Sequence, residues 1–274
     1  MAASVTIGVA WNGQGDPAPC FAAGLAAPFV QEILVSPMDE ATAAKARAAA
    51  NLKVRVLPAG DKGIYDAWNK LVAACATSHI VFHGVDDLVV PEAAIADALT
   101  AMGPNELLVC SIQFATPQGE PTAIYHHRET LPPALSLGRL GNPACPEVCW
   151  PVAAIRDAGK LDTGFRIAGD ADLWFRVRPL AERRDSDAVL VMMLDGGASA
   201  SARHARTVWL ENRRIAKARG QAIPLGNRLL SGAFLNGRWL LYRLAGEQEA
   251  DRITDFVRGI AGKPPRYSLM HPSS

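Results

Sequence analysis

One-sided charge is what this chain most lacks. Its 28 Lys and Arg against 27 Asp and Glu leave a formal net charge of +1. No overall field exists to hold nucleic acid or an anionic membrane, so any anionic ligand must be met by a local site. Long hydrophobic runs are missing as well: no stretch approaches the roughly 20 apolar residues of a membrane span. Met1–Ala10 shows no basic flank followed by a long apolar core, so neither secretion nor membrane crossing is expected. Cysteine is sparse. Cys20, Cys75, Cys110, Cys145 and Cys149 make an odd count without the doubled C-x-x-C spacing of structural zinc, and they read as reduced thiols in a cytoplasm, several filling apolar positions. No internal repeat or long low-complexity tract occurs.

What the chain does have is apolar material, 49% of 274 residues against 20% charged, enough for one substantial core with a smaller C-terminal extension. Val5–Ala10 reads as a buried strand stopped by Asn12, Gly13 and Gly15. Further strands are expected at 32–35, 54–57, 79–82 and 107–112, separated by helices at 39–50, from Ile64 with Asp61 and Gly63 marking its start, and at 92–102 behind Pro91. This alternation predicts an α/β layered fold with a mainly parallel sheet. After about residue 125 the prolines at 132, 133, 143, 146 and 151 argue against long regular elements until a helix at 170–178. Beyond residue 205 the chain reads as helical, over 208–219, 228–244 and 251–260.

Two constellations carry chemistry on their own residues. His83-Gly84-Val85-Asp86-Asp87 places adjacent carboxylates where a strand leaves the sheet, the edge at which open α/β sheets bind ligands, and hard oxygens suit Mg²⁺ or Mn²⁺. The same residues also suit a simple turn or helix cap. Asp61-Lys62-Gly63-Ile64-Tyr65-Asp66-Ala67-Trp68-Asn69-Lys70 is a Gly-containing turn opening an amphipathic helix. Its N–H groups and Lys62 can meet a diphosphate, or it is a helix cap with Tyr65 and Trp68 packed behind it.

Taken together, the D-K-G-I-Y-D-A-x-N-K segment and the Asp-Asp pair about 20 residues later resemble the inverting family-2 glycosyltransferases of bacterial surface-polysaccharide pathways. A third stretch, Gly159 to Arg176, is similar to that family's G-G-F-D-E-x-F-x-x-x-x-D-x-D-L-x-x-R. The resemblance covers residues 52–200 well and 1–51 loosely. It implies a GT-A-like nucleotide-sugar transferase fold, a Rossmann-like mixed sheet flanked by helices with a helical C-terminal extension. Residues 1–204 would form the catalytic domain (1–124 the nucleotide-sugar half, 125–204 the acceptor half) and 205–274 the extension.

The resemblance also implies roles. Asp170 is expected to be the base that deprotonates an acceptor hydroxyl, giving inversion at the anomeric carbon, unless it only caps its helix. Asp87 is expected to bind Mn²⁺ or Mg²⁺ directly, with Asp86 at the ion's water shell or the ribose, and Lys62 and Gly63 at the diphosphate. His204, after the Gly-rich turn Asp195-Gly196-Gly197-Ala198-Ser199, either approaches the metal or is a loop histidine; His83 is either a ligand or a packed residue. Asp172 stands near the acceptor or pairs with Arg176 at i,i+4. The N-terminal end departs from the family: Ala10-Trp11-Asn12-Gly13 replaces a T-Y-N-like strand end, and Val35-Ser36-Pro37-Met38-Asp39 replaces V-D-G-x-S-x-D-G-T. Trp11 and Asn12 are then candidates for the nucleotide, with Asp39 standing in for the missing carboxylate. At Cys145-Pro146-Glu147, where relatives carry H-Q-x, Glu147 faces an acceptor hydroxyl or holds a loop.

The implied partners are a nucleotide-sugar donor and a saccharide or lipid-linked saccharide acceptor, in the cytoplasm and without nucleic acid. Arg203, Arg206, Arg213, Arg214, Lys217 and Arg219, interleaved with Trp209, Leu210 and Ile215, suit either a peripheral inner-membrane contact or a packed helix with a solvated basic face. Two other readings stay open: a nucleotidyltransferase, disfavoured by the lack of a basic Gly-rich loop after the first strand, and a glycosyltransferase-like binding or scaffold protein without donor chemistry.

Overall fold

A computed structural model describes residues 4–116, 119–127, 142–194, 197, 199–220, 223–260, 262 and 267–268. The chain divides into two compact units, one drawn from Met1–Phe114, Pro121–His127 and Pro143–Met193, the other from Ala115–Glu120, Arg128–Asn142 and Leu194–Ser274.

The first unit begins with β1 (Val5–Trp11), α1 (Ala18–Ala26), β2 (Val30–Pro37), α2 (Glu40–Ala49), β3 (Val54–Val56), α3 (Ile64–Ala74) and β4 (His79–His83). The strands pair in parallel in the order β3-β2-β1-β4. β1 is buried along nearly its whole length, as expected of a parallel strand covered on both faces. Two glycines allow close layering: a Cβ on Gly8 would stand 3.0 Å from Ile80 Cδ1, and one on Gly24 2.9 Å from Ile33 Cδ1. Trp68 of α3 stacks on Phe82 of β4 with ring centroids 4.4 Å apart, and α2 starts at Asp39, whose carboxylate accepts from the Thr42 N–H.

β5 (Asp87–Val89), α4 (Ala93–Thr100), β6 (Glu106–Ala115), β7 (Pro121–His126), β8 (Val148–Pro151), α5 (Val152–Asp157), α6 (Gly169–Val177) and β9 (Glu182–Leu194) follow. The sheet continues as β4-β8-β6-β9-β5, with β7 on β6. Here β4–β8, β6–β8 and β5–β9 are antiparallel. The expectation of a mainly parallel sheet therefore holds for one half only, and the whole is a mixed sheet. Periodicity found β6 but missed the other strands of this half, several of which are atypical: β9 opens with the mostly exposed Glu182-Arg183-Arg184-Asp185-Ser186-Asp187, and β7 is exposed along most of its length. α1 was missed because it is short and almost wholly apolar, with Pro19 in its first turn.

The second unit contains α7 (Ala205–Ala218) and α8 (Leu225–Ile260), the latter broken at Gly246, where φ is 83°. That break matches the two separate helices expected there. Across it, Arg238 meets Asp251 at 2.5 Å, both buried, and lies 3.7 Å from the centre of the Tyr267 ring. None of the described helices is long and apolar enough to cross a membrane, and all five cysteines are buried free thiols.

Candidate active site

Because β1 and β4 are parallel neighbours while the chain returns to β2 and β3 on the other side, the order reverses between β1 and β4. Their carboxyl ends are the switch point at which open α/β sheets bind ligands. After β1, Asn12 Oδ1 accepts from the Gln14 N–H at 3.0 Å. Gly13, at φ +85°, could carry no side chain without meeting Thr42 Oγ1 at 2.6 Å. After β4 comes the acidic turn: the Gly84 N–H donates to Asp87 Oδ2 at 2.6 Å, Asp86 is exposed and Asp87 is buried. Burial first, and then the neighbouring Asp86 charge, push the Asp87 pKa up to about 8, against the Gly84 bond that lowers it. Two carboxylates forced together at a sheet edge are a cost that a cation would relieve.

The third acid comes from α6. Asp170 sits half-buried in its first turn, next to Gly169, and the start of this helix is bolted to α3. The Gly169 N–H donates to Tyr65 Oη at 2.7 Å, and a Cβ on Gly169 would lie 2.6 Å from the Tyr65 ring, so only glycine fits. Asn69 clamps the preceding loop, donating to the Leu161 carbonyl at 3.0 Å and accepting from its N–H at 2.8 Å. Cys145, just before β8, is buried. Burial pushes its thiol well above the ordinary value, and the charges of Asp170, Asp87 and Glu147 add to that. α3 links the two segments: Tyr65 holds the start of α6 next to Asp170, and Trp68 stacks on Phe82 of β4, which leads into the Asp86-Asp87 turn.

Several expected site residues have other work. Trp11 is 3% exposed within the core, and its Nε1–H donates to the Gln14 carbonyl, so packing leaves little of the indole surface for a nucleobase. Asp39 is exposed but serves as the N-cap of α2, which lowers its pKa chiefly through the Thr42 N–H. Lys62 is exposed, yet its backbone N–H is taken by Asp66 Oδ2 at 3.0 Å. Gly63, at φ 121°, is the N-cap of α3. Asp61 is held by Lys70 at 2.5 Å and by Ser36 Oγ at 3.1 Å.

The acceptor-side candidates also have structural partners. Asp172 is buried and paired with Arg176 at 2.9 Å, and that arginine also donates to the carbonyls of Ala158 and Gly159; the pair locks α6 to the end of α5. Glu147 has no exposed surface. It accepts from the Ala144 N–H at 2.7 Å, with His127 at 3.8 Å, and burial pushes its pKa up to about 8, so it holds its loop. His83 is buried without a well-formed hydrogen bond at either ring nitrogen, and burial drives its pKa down to about 4, the Pro146 backbone acting weakly the other way. His204 lies in the second unit, just before α7. Asp195, Gly196 and Ala198 of the Gly-rich turn lie outside the described residues.

Among the described residues no group of three or more His, Cys, Asp or Glu side chains is placed to hold a metal ion. The turn after β4 offers two adjacent carboxylates, Asp86 and Asp87. Two hard-oxygen carboxylates fit Mg²⁺ or Mn²⁺ when a bound diphosphate and water supply the remaining ligands.

No family profile and no curated protein matches the sequence. Solved structures do match in fold. A mannosyltransferase from Pyrobaculum calidifontis, in complex with GDP-Man and Mn²⁺, superposes with a TM-score of 0.59 at 12% identity, over 98% of this chain and 84% of that one. S. aureus TarS 1-349 in complex with UDP superposes with a TM-score of 0.55 at 14% identity, over 97% and 89%. The chain spans 54% of the longer S. aureus TarS structure. At these identities the likeness establishes the GT-A-like fold.

Proposed function

We propose that the protein is a metal-assisted, inverting glycosyltransferase that moves a sugar from a nucleoside-diphosphate donor to a hydroxyl of a saccharide or lipid-linked saccharide. The observation that carries this reading is that α3 ties the two acidic segments together, Tyr65 holding the Gly169 N–H beside Asp170 and Trp68 stacking on Phe82 of β4, just ahead of the Asp86-Asp87 turn. The fold shared with proteins solved with GDP-Man and Mn²⁺, with UDP and with UDP-GlcNAc supports it.

In this reading Asp86 and Asp87 hold a divalent ion, which neutralises charge on the departing diphosphate. Asp170 accepts the proton of the acceptor hydroxyl. The hydroxyl oxygen forms its new bond to the anomeric carbon as the bond to the diphosphate breaks, the electron pair leaving with the phosphate oxygen, so the configuration inverts. Tyr65 fixes the Gly169 N–H and with it the direction from which Asp170 meets the acceptor, a positioning effect. The turn at Lys62 and Gly63 and the loop at Asn12 supply the remaining donor contacts.

A screen of UDP-, GDP- and dTDP-sugars with Mn²⁺ tests the reading. Slow hydrolysis of one donor is expected, releasing its nucleoside diphosphate. Release of the sugar 1-phosphate, by attack at the nucleoside-side phosphorus, would instead identify a nucleotidyltransferase, and no turnover or binding of any donor would leave a scaffold.

A further inference from the structure

We propose that the second unit docks on the surface of an anionic lipid bilayer through the apolar face of α8. In the first half of that helix Leu225, Leu229, Leu240 and Leu244 are 51–76% exposed, at spacings that set them along one side. Beyond the break at Gly246, Ile253, Phe256, Val257 and Ile260 are 39–75% exposed, again at helical spacing. The described residues leave both stretches uncovered, and contiguous apolar surface of this kind marks an interaction site.

Charge identifies the occupant. The near-zero total hides an asymmetry: residues 194–274 carry 13 Lys and Arg against 6 Asp and Glu, a net +7, whereas residues 1–193 carry 15 against 21, a net −6. Arg228, Arg243 and Arg252 are exposed on α8, and Arg213, Arg214 and Lys217 on α7. Exposed leucines beside exposed cations match a surface that is apolar beneath and anionic at its headgroups. A symmetric contact between two copies would set arginines of one against those of the other. Nucleic acid offers the aliphatic side chains nothing to bury against. Because the helix is not apolar enough to span, it lies on the bilayer.

The two C-terminal helices contribute differently. The basic run of α7 has its own apolar side engaged: Ile215 and Ala216 are buried, and a Cβ on Gly232 of α8 would stand 3.2 Å from Trp209 Nε1. α7 therefore contributes charge, and α8 the apolar face.

The test needs no nucleotide sugar, so its outcome is independent of the transferase reading. The full chain is sedimented with vesicles of phosphatidylcholine alone and of phosphatidylcholine mixed with phosphatidylglycerol. Binding to the anionic vesicles is expected, about tenfold or more tighter than to the neutral ones and weakening as salt rises. Leu240→Asp/Leu244→Asp should weaken it by about 100-fold with circular dichroism unchanged, and Phe256→Asp, in the other half, covers the case in which the double variant unfolds. Absence of binding to anionic vesicles, or equal binding by folded variants, overturns the proposal. So does a dimer of the parent that the same substitutions disperse.

Discussion

Replacing Asp170 by asparagine is expected to abolish sugar transfer while leaving donor binding nearly intact. The amide keeps the size of the side chain and its place in the first turn of α6, so the Gly169–Tyr65 bond at 2.7 Å and the helix start should survive. What is lost is the group that accepts the proton, and positioned general bases contribute about 10²- to 10⁴-fold. A fall in kcat of about a thousandfold, with the dissociation constant of the nucleoside diphosphate changed less than about twofold, is the pattern that identifies a base. A loss of binding as large as the loss of turnover would assign Asp170 to the donor site or to helix capping, and retained turnover would remove it from the mechanism.

Replacing Asp87 by asparagine should do the reverse. The amide oxygen can still accept from the Gly84 N–H, so the turn after β4 is preserved, but a charged ligand is gone. Mn²⁺-dependent nucleotide binding should weaken on the order of 100-fold, and calorimetry with and without Mn²⁺ reads this directly. The parent protein carries its own control in pH. With the Asp87 pKa pushed up to about 8 by burial and by Asp86, the carboxyl is mostly protonated at neutral pH when no ion is bound, and a cation must displace that proton. Metal-dependent affinity should therefore rise by up to about tenfold per pH unit below that value and level off above it, and the Asp87→Asn variant should lose the slope. A flat profile in the parent would exclude Asp87 as a direct ligand.

The sequence made the nucleotide half of the fold readable because its strands and helices have ordinary periods: β1, β4 and α3 were all expected close to where they stand. The acidic turn was readable for the same reason, since it follows a strand that could only be central. The second motif was recognised, and its polar groups turn out to have structural work as well. Asp61, Asp66 and Lys70 are wired to one another or to the turn's own backbone, and Tyr65 and Asn69 reach 104 and 92 residues along the chain to Gly169 and Leu161. The segment assigned to a diphosphate thus spends most of its polar groups fixing the loop and helix start that carry Asp170.

Trp11 and Glu147 show what was out of reach. Both follow or precede strand ends and look available in one dimension. Burial is a tertiary property, and neither the 3% exposure of Trp11 nor the complete enclosure of Glu147 has a local signal. Asp172 was legible as an ion-pair partner from its i,i+4 spacing to Arg176, and the 2.9 Å contact bears out that simpler alternative. The exposed face of α8 was also hidden: a run apolar on most sides does not say which side will remain open.

In the proposed enzyme the acidic turn after β4 and the start of α6 face one bound donor. Paramagnetic broadening of backbone amide resonances by Mn²⁺, added with the nucleoside diphosphate that the donor screen selects, measures this directly. The account predicts that the signals of Gly84 to Asp87 and of Gly169 and Asp170 broaden together, and only when both nucleotide and ion are present. Broadening confined to one of the two segments, or to neither, would contradict it.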